Sequence, residues 1–159
     1  MTRLLLLNGP NLNLLGTREP ELYGAETLEA IERRAAELAR EQGHELLCFQ
    51  SNAEHELIAR IQRASAENVV LLIFNPGALT HTSIALRDAV LAVRLPMIEV
   101  HLSNPQAREA FRRRSYFSDI AIGGVAGFGA FGYELAVRAA CWHLAGGAVR
   151  TRPGPAGAS

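Results

Sequence analysis

Six apolar residues in a row, Val69 to Phe74, and four leucines in a row, Leu4 to Leu7, constrain the fold of this 159-residue chain most. A strand with one wet face alternates apolar and polar residues. A short uninterrupted apolar run reads instead as a strand covered on both faces, the usual state in a parallel sheet. His44 to Phe49 and Met97 to Val100 read as two further strands, and Ile120 to Ile122 as a short fifth. Helical stripes separate them. Leu28, Ile31, Ala35 and Leu38 recur at helical spacing over about Thr27 to Gln42, and Gly43 suits the C-terminal end. Leu57, Ile58, Ile61 and Ala64 form a second stripe, and Ser83 to Val93 reads as a third helix. Pro105 to Arg113 is expected to be a short polar helix. Ala130 to Leu144 is expected to be the last, with Leu135, Ala139 and Trp142 on one side.

Strands alternating with helices imply βαβ units, hence an α/β fold with a parallel sheet and helices on both faces. Five such strands most often take the flavodoxin-like order 2-1-3-4-5. A single domain over residues 1–146 accounts for all these elements. Residues 147–159 shift to Gly, Ala, Pro and Arg and are expected to form a disordered tail.

Composition narrows the chemistry. Sixteen basic and sixteen acidic residues cancel, which argues against a nucleic-acid partner. The basic residues are all arginine. Without a lysine the chain has neither a Schiff-base residue nor a P-loop. Cys48 and Cys141 lie far apart among apolar neighbours, as expected of reduced, packed cysteines in a cytoplasmic protein. The four leucines near the N-terminus are too few for a signal peptide or a membrane span, so no membrane partner is expected.

Ligands of open parallel sheets bind beyond the carboxyl ends of the strands. Those ends carry Asn8 and Asn11, Gln50 and Asn52, Asn75, and Glu99 with His101 and Ser103. Amides and hydroxyls from four strands on one rim suit a small polyhydroxylated ligand. Gly127-Phe-Gly-Ala-Phe-Gly132 matches a dinucleotide fingerprint, but no acidic residue follows at the required distance. It reads as a turn into the last helix. His81, Glu99 and His101 could be written as a metal set, yet their spacing matches no metal motif. A phosphoacceptor domain would need acidic residues where Asn8 stands.

Asn8-Gly-Pro-Asn-Leu-Asn-Leu-Leu-Gly-Thr-Arg18 with Tyr23-Gly24, Gln50-Ser-Asn52, Glu56-Leu-Ile58 and Asn75-Pro-Gly form an ordered series. Thr80-His-Thr-Ser83, Leu86-Arg-Asp88, Glu99-Val-His-Leu-Ser-Asn104 and Arg108-Glu-Ala-Phe-Arg112 with Ser115 continue it. Together they resemble the type II 3-dehydroquinate dehydratases, over nearly the whole chain from Leu4 to about Leu144. Leu79, where an aromatic is frequent, and the tail are the departures.

The resemblance implies a cofactor-free, metal-free lyase. It dehydrates 3-dehydroquinate to 3-dehydroshikimate by anti elimination through an enolate, in the shikimate pathway of aromatic biosynthesis. It implies Tyr23 as base and Arg18 as the cation that activates it. A phenol of ordinary pKa, about 10, supplies little anion near neutrality, and a neighbouring cation favours the anion. Asn11 would hold the enolate oxygen, His101 would protonate the departing hydroxyl, and Glu99 would orient His101 and stabilise its charge. Asn75, His81 and Arg112 would bind substrate hydroxyls, and the backbone amides of Leu102 and Ser103 the carboxylate. Asp88 would reach a neighbouring subunit's site in a homo-oligomer, a dodecamer of trimers. The stretch from Leu14 to Gly24 is expected to close over substrate as a lid.

Two other readings of the same rim stay open on the residues alone. One is a non-catalytic binding module of this fold for a small polyhydroxy acid. The other is a sugar isomerase or a different lyase using the same acid and base.

Overall fold

A computed structural model describes residues 1–17, 21 and 25–147. Its strands are β1 (Thr2–Asn8), β2 (His44–Gln50), β3 (Val69–Asn75), β4 (Met97–His101) and β5 (Gly123–Ala126). They form one five-stranded sheet in the order β2-β1-β3-β4-β5, and every pair is parallel. The helices are α1 (Leu28–Glu41), α2 (Glu54–Arg63), α3 (Ile84–Val93) and α4 (Phe131–Leu144). This is the flavodoxin-like topology expected from the alternation of periods. Of the tail, only Gly147 is among the described residues.

Local signals start the helices where expected. Thr27 Oγ1 accepts the Ala30 amide at 3.2 Å at the head of α1, and Ser83 Oγ accepts the Leu86 amide at 3.0 Å at the head of α3. The pleat then divides the apolar runs between two cores. Leu4, Leu6, Leu71, Ile73, Ile98 and Val100 face α1 and α4. Leu5, Leu7, Leu72, Phe74 and Met97 face α2, α3 and Phe117. A run apolar at every position is thus what a sheet with two buried faces demands.

Four expectations need correction. The fifth strand is Gly123–Ala126, not Ile120–Ile122. The amides of Ile120 and Ala121 turn back onto the Phe117 carbonyl, so pairing begins only with Ile122 N–H to the Met97 carbonyl at 2.8 Å. An edge strand with an exposed face needs no apolar run, and Gly123-Gly124 gave none. Pro105 to Arg113 is not an α-helix but two short 3₁₀ turns, Pro105–Ala107 and Ala110–Arg112. Arg108 and Glu109 are extended between them. The inner face of α4 is Tyr133, Ala136, Val137, Ala140 and Cys141, while Trp142 is 55% exposed. The hydroxyl of Tyr133 finds partners on the sheet, and Gly132 packs beside Val125. Cys48, expected to be packed, is exposed on the edge strand β2; both cysteines are free thiols.

Candidate active site

Backbone packing at the carboxyl ends of β1 and β3 builds the floor. The Gly9 amide donates to the Asn75 carbonyl at 2.8 Å, and a Cβ at Gly9 would lie 2.3 Å from the Pro76 oxygen. Only glycine allows that approach. Asn11 follows in the left-handed region, at φ 70°. Such strain in a non-glycine residue is commonest for asparagine, and it concentrates at functional sites. The conformation is braced from β2: Asn52 Oδ1 accepts the Asn11 amide at 3.0 Å and a Gln50 side-chain N–H at 3.1 Å.

A cavity of about 180 Å³ opens over this floor. Asn11, Asn75, His81, His101, Leu102, Ser103 and Arg112 all line it. These are seven of the residues singled out in the sequence. Arg108 lines it as well and was not singled out, although it opens the Arg108-to-Arg112 motif. The extended backbone between the two 3₁₀ turns sets both arginines beside the cavity. Arg112 is held through Nε by Glu109 at 2.7 Å and lies over the Phe111 ring at 5.0 Å.

His101 and Glu99 alternate along β4 and face the same way. His101 Nε2–H donates to Glu99 Oε1 at 2.9 Å. Ser115 Oγ donates to the same oxygen at 2.5 Å, and Ser118 Oγ to Oε2 at 2.7 Å. Glu99 is only 5% exposed. Burial alone would push its carboxyl up, but hydrogen bonds from His101, Ser115 and Ser118 outweigh burial and hold it below the usual range. An ionised carboxylate only accepts, so the proton on that edge of the imidazole sits on Nε2, and Nδ1 is the ring nitrogen left for other work. Sequence reasoning did not give Ser118 a role and quoted Ser115 only as part of a motif. Glu99 itself faces a second cavity of about 200 Å³, which shares His81, His101 and Arg112 with the first.

His81 Nδ1–H donates to the Arg114 carbonyl at 2.7 Å, which leaves Nε2 as the ring nitrogen available to a ligand. With His81 tied to a carbonyl and Glu99 to three donors, the suggested metal set does not assemble. No cluster of three or more His, Cys, Asp or Glu residues suited to a metal occurs among the described residues. Gly127 and Gly129 have positive φ and form the turn into α4, in place of a dinucleotide loop. Asp88 is exposed on α3 and lines neither cavity. Arg18, Tyr23 and most of the expected lid lie outside the described residues.

Parallel topology, a rim of amides and a carboxylate–histidine pair together define an enzyme site of the open α/β class. The family model for dehydroquinase class II matches residues 2–141, and the chain belongs to that family. It is similar to the 3-dehydroquinate dehydratase of Hahella chejuensis, at 61% identity over 92% of this chain and 99% of that protein. The 3-dehydroquinate dehydratase of Ectopseudomonas mendocina is 60% identical over the same shares of the two chains. Among solved structures, the type II dehydroquinase from Propionibacterium acnes superposes with a TM-score of 0.84 at 39% identity, covering 89% of this chain and 97% of that one.

Proposed function

We propose that this chain is a 3-dehydroquinate dehydratase, a hydro-lyase of the shikimate pathway, working as a single catalytic domain over residues 1–146. The observation that carries the reading is the convergence of Asn11, Asn75, His81, His101, Leu102, Ser103 and Arg112 on one cavity, beside a buried Glu99–His101 pair.

The chemistry follows from the groups. Tyr23, as phenolate with Arg18 as its activating cation, takes the proton from C2 of 3-dehydroquinate. The electron pair moves onto the ketone oxygen as an enolate, which Asn11 holds. Collapse of the enolate restores the ketone, forms the C1–C2 double bond and breaks the bond to the C1 hydroxyl. Charged His101 gives that hydroxyl a proton from Nδ1, and water leaves. Glu99, bonded to Nε2, aims the ring for the transfer. Tyr23 ends with one proton more and His101 with one fewer, so a single proton returned from one to the other resets the site. Asn75 and the Nε2 of His81 meet substrate hydroxyls. Arg112 joins them there, and the backbone of Leu102 and Ser103 meets the carboxylate. The nearby guanidinium groups of Arg108 and Arg112 favour an anionic substrate.

The reaction is placed in the cytoplasm, in keeping with two free thiols. Among the described residues, no helix is long and apolar enough to cross a membrane. Assembly into a dodecamer of trimers belongs to the same reading. Ile84, Asp88 and Leu91 share one face of α3, and the two apolar side chains are 57% and 48% exposed. An apolar stripe bracketing a carboxylate suits a face covered by another copy, whose site Asp88 would then reach.

The test is direct. Pure protein is mixed with 3-dehydroquinate in the presence of a chelator, and the ultraviolet absorption of the conjugated enone is followed. Absorption should grow. No signal overturns the assignment, and a signal abolished by chelator brings metal chemistry back.

A further inference from the structure

Leucine and isoleucine fill the core face of β1 and β3 until the last position of each strand, where both turn to asparagine. Asn8 and Asn75 are register partners, point to the same side as Leu6 and Ile73, and are essentially buried. Buried amides demand partners. They find one in Tyr133 of α4, itself 1% exposed. Tyr133 Oη donates to Asn8 Oδ1 at 2.6 Å and accepts from Asn75 Nδ2 at 2.9 Å. Asn8 Nδ2 in turn donates to Glu32 Oε1 on α1 at 3.3 Å. Asn75 Oδ1 is occupied by the Gly77 amide at 3.1 Å.

Every link in this chain points the same way. At one end the Gly77 N–H fixes which atom of the Asn75 amide is oxygen. At the other end, Asn8 offers Nδ2 to Glu32 and presents Oδ1 to Tyr133; burial pushes the Glu32 carboxyl up, and the bond from Asn8 favours its ionised, accepting form. The phenol hydrogen is then committed to Asn8, and its oxygen is the acceptor for one Nδ2–H of Asn75. Asn75 lines the substrate cavity, and this leaves it one N–H in a fixed direction.

We propose that Tyr133 is a positioning residue for substrate binding. It locks the Asn75 carboxamide from behind the sheet, with Asn8 and Glu32 setting the direction of the relay. Tyr133 touches neither the cavity nor the reacting atoms. Without its hydroxyl, the Asn75 amide keeps only the Gly77 contact and can rotate about its side-chain bonds. The binding geometry blurs while the proton-transfer groups stay in place. The inference rests on the proposed contact between Asn75 and 3-dehydroquinate.

The experiment compares Tyr133→Phe, Asn75→Ala and the double variant by steady-state kinetics with 3-dehydroquinate, alongside their melting temperatures. Tyr133→Phe should raise KM about fivefold or more, the scale of one displaced hydrogen bond, with kcat within about twofold of the parent. In the Asn75→Ala background the same change should add nothing to KM, because the group it positions is gone. A purely structural tyrosine would lower the melting temperature and leave KM alone. That result for Tyr133→Phe, beside a raised KM in Asn75→Ala, overturns this inference while the role of Asn75 stands. An unchanged KM in Asn75→Ala overturns both. Should Tyr133→Phe fail to fold, Glu32→Ala decides. It loosens Asn8 from the far end of the relay and should raise KM about twofold, and an unchanged KM refutes the proposal.

Discussion

Replacing Ser115 with alanine probes how the carboxylate behind His101, the proposed acid, is held. Ser115 Oγ accepts the amides of Phe117 and Ser118 at 3.0 and 3.2 Å and spends its one hydrogen on Glu99 Oε1 at 2.5 Å. The variant removes one of three donors to a buried carboxylate and leaves two amides without that acceptor. A hydrogen bond to a charged group is worth about 1.5–3 kcal/mol. The expected loss is about 2–3 kcal/mol at neutral pH, or about 4–12 °C in Tm for a chain of this size. The pH dependence carries the sign. Glu99 is held below its ordinary value of 4.5. Its ionisation therefore contributes stability that is present above the ordinary value and is lost as pH falls through the lowered one. Alanine lets the folded value rise, so the damage is full at neutrality and shrinks in acid to the amide part. Denaturant titrations of parent and variant at about pH 7 and about pH 3 measure the difference. The acid limb of activity should also move to higher pH, since Glu99 accepts from His101 Nε2 and aims the ring as a carboxylate. Equal losses of stability at both pH values would refute the reasoning and reduce Ser115 to a turn residue.

Tyr23→Phe should abolish turnover while ligand binding and the melting temperature stay near those of the parent; appreciable residual activity would reveal another base. His101→Ala should be nearly inactive and Glu99→Gln weakened but alive, with an altered pH–rate profile as the check on the carboxylate. Phe117→Ala should cost about 3–5 kcal/mol. Phe117 is fully buried, meets the Phe74 ring edge-on at 5.4 Å, and anchors the turn that carries Ser115 and Ser118, so activity should fall along with Tm. Asp88→Asn should lower turnover without changing the spectrum of the folded chain. If Asp88 acts in a neighbour's site, a mixture with Asp88-containing, Tyr23→Phe subunits should regain activity after reassembly.

Much of the site was readable before any folding. Asn11 follows an apolar strand, Asn75 and His101 end apolar strands with Glu99 two residues before His101, and parallel topology sends all strand ends to one rim. Arg108 and Ser118 escaped because their positions depend on irregular backbone. No period announces two 3₁₀ turns with extended residues between them. The fifth strand was misplaced for a related reason: a glycine-rich edge strand leaves no apolar trace, and the apolar Ile120 next to it is used in the second core instead.

Local chemistry along the chain determined the alternation of strand and helix, the two buried sheet faces and the order of the strands. Those follow from hydrophobic period and from short right-handed crossovers, and both operate over stretches of a few dozen residues at most. Tertiary packing alone decided which helix face turned inward on α4 and what the buried asparagines would bind. Tyr133 lies 58 residues from Asn75 and 125 from Asn8. A buried amide must find a partner somewhere, but the partner is set by the two elements that happen to close over it, and sequence spacing carries no record of that meeting.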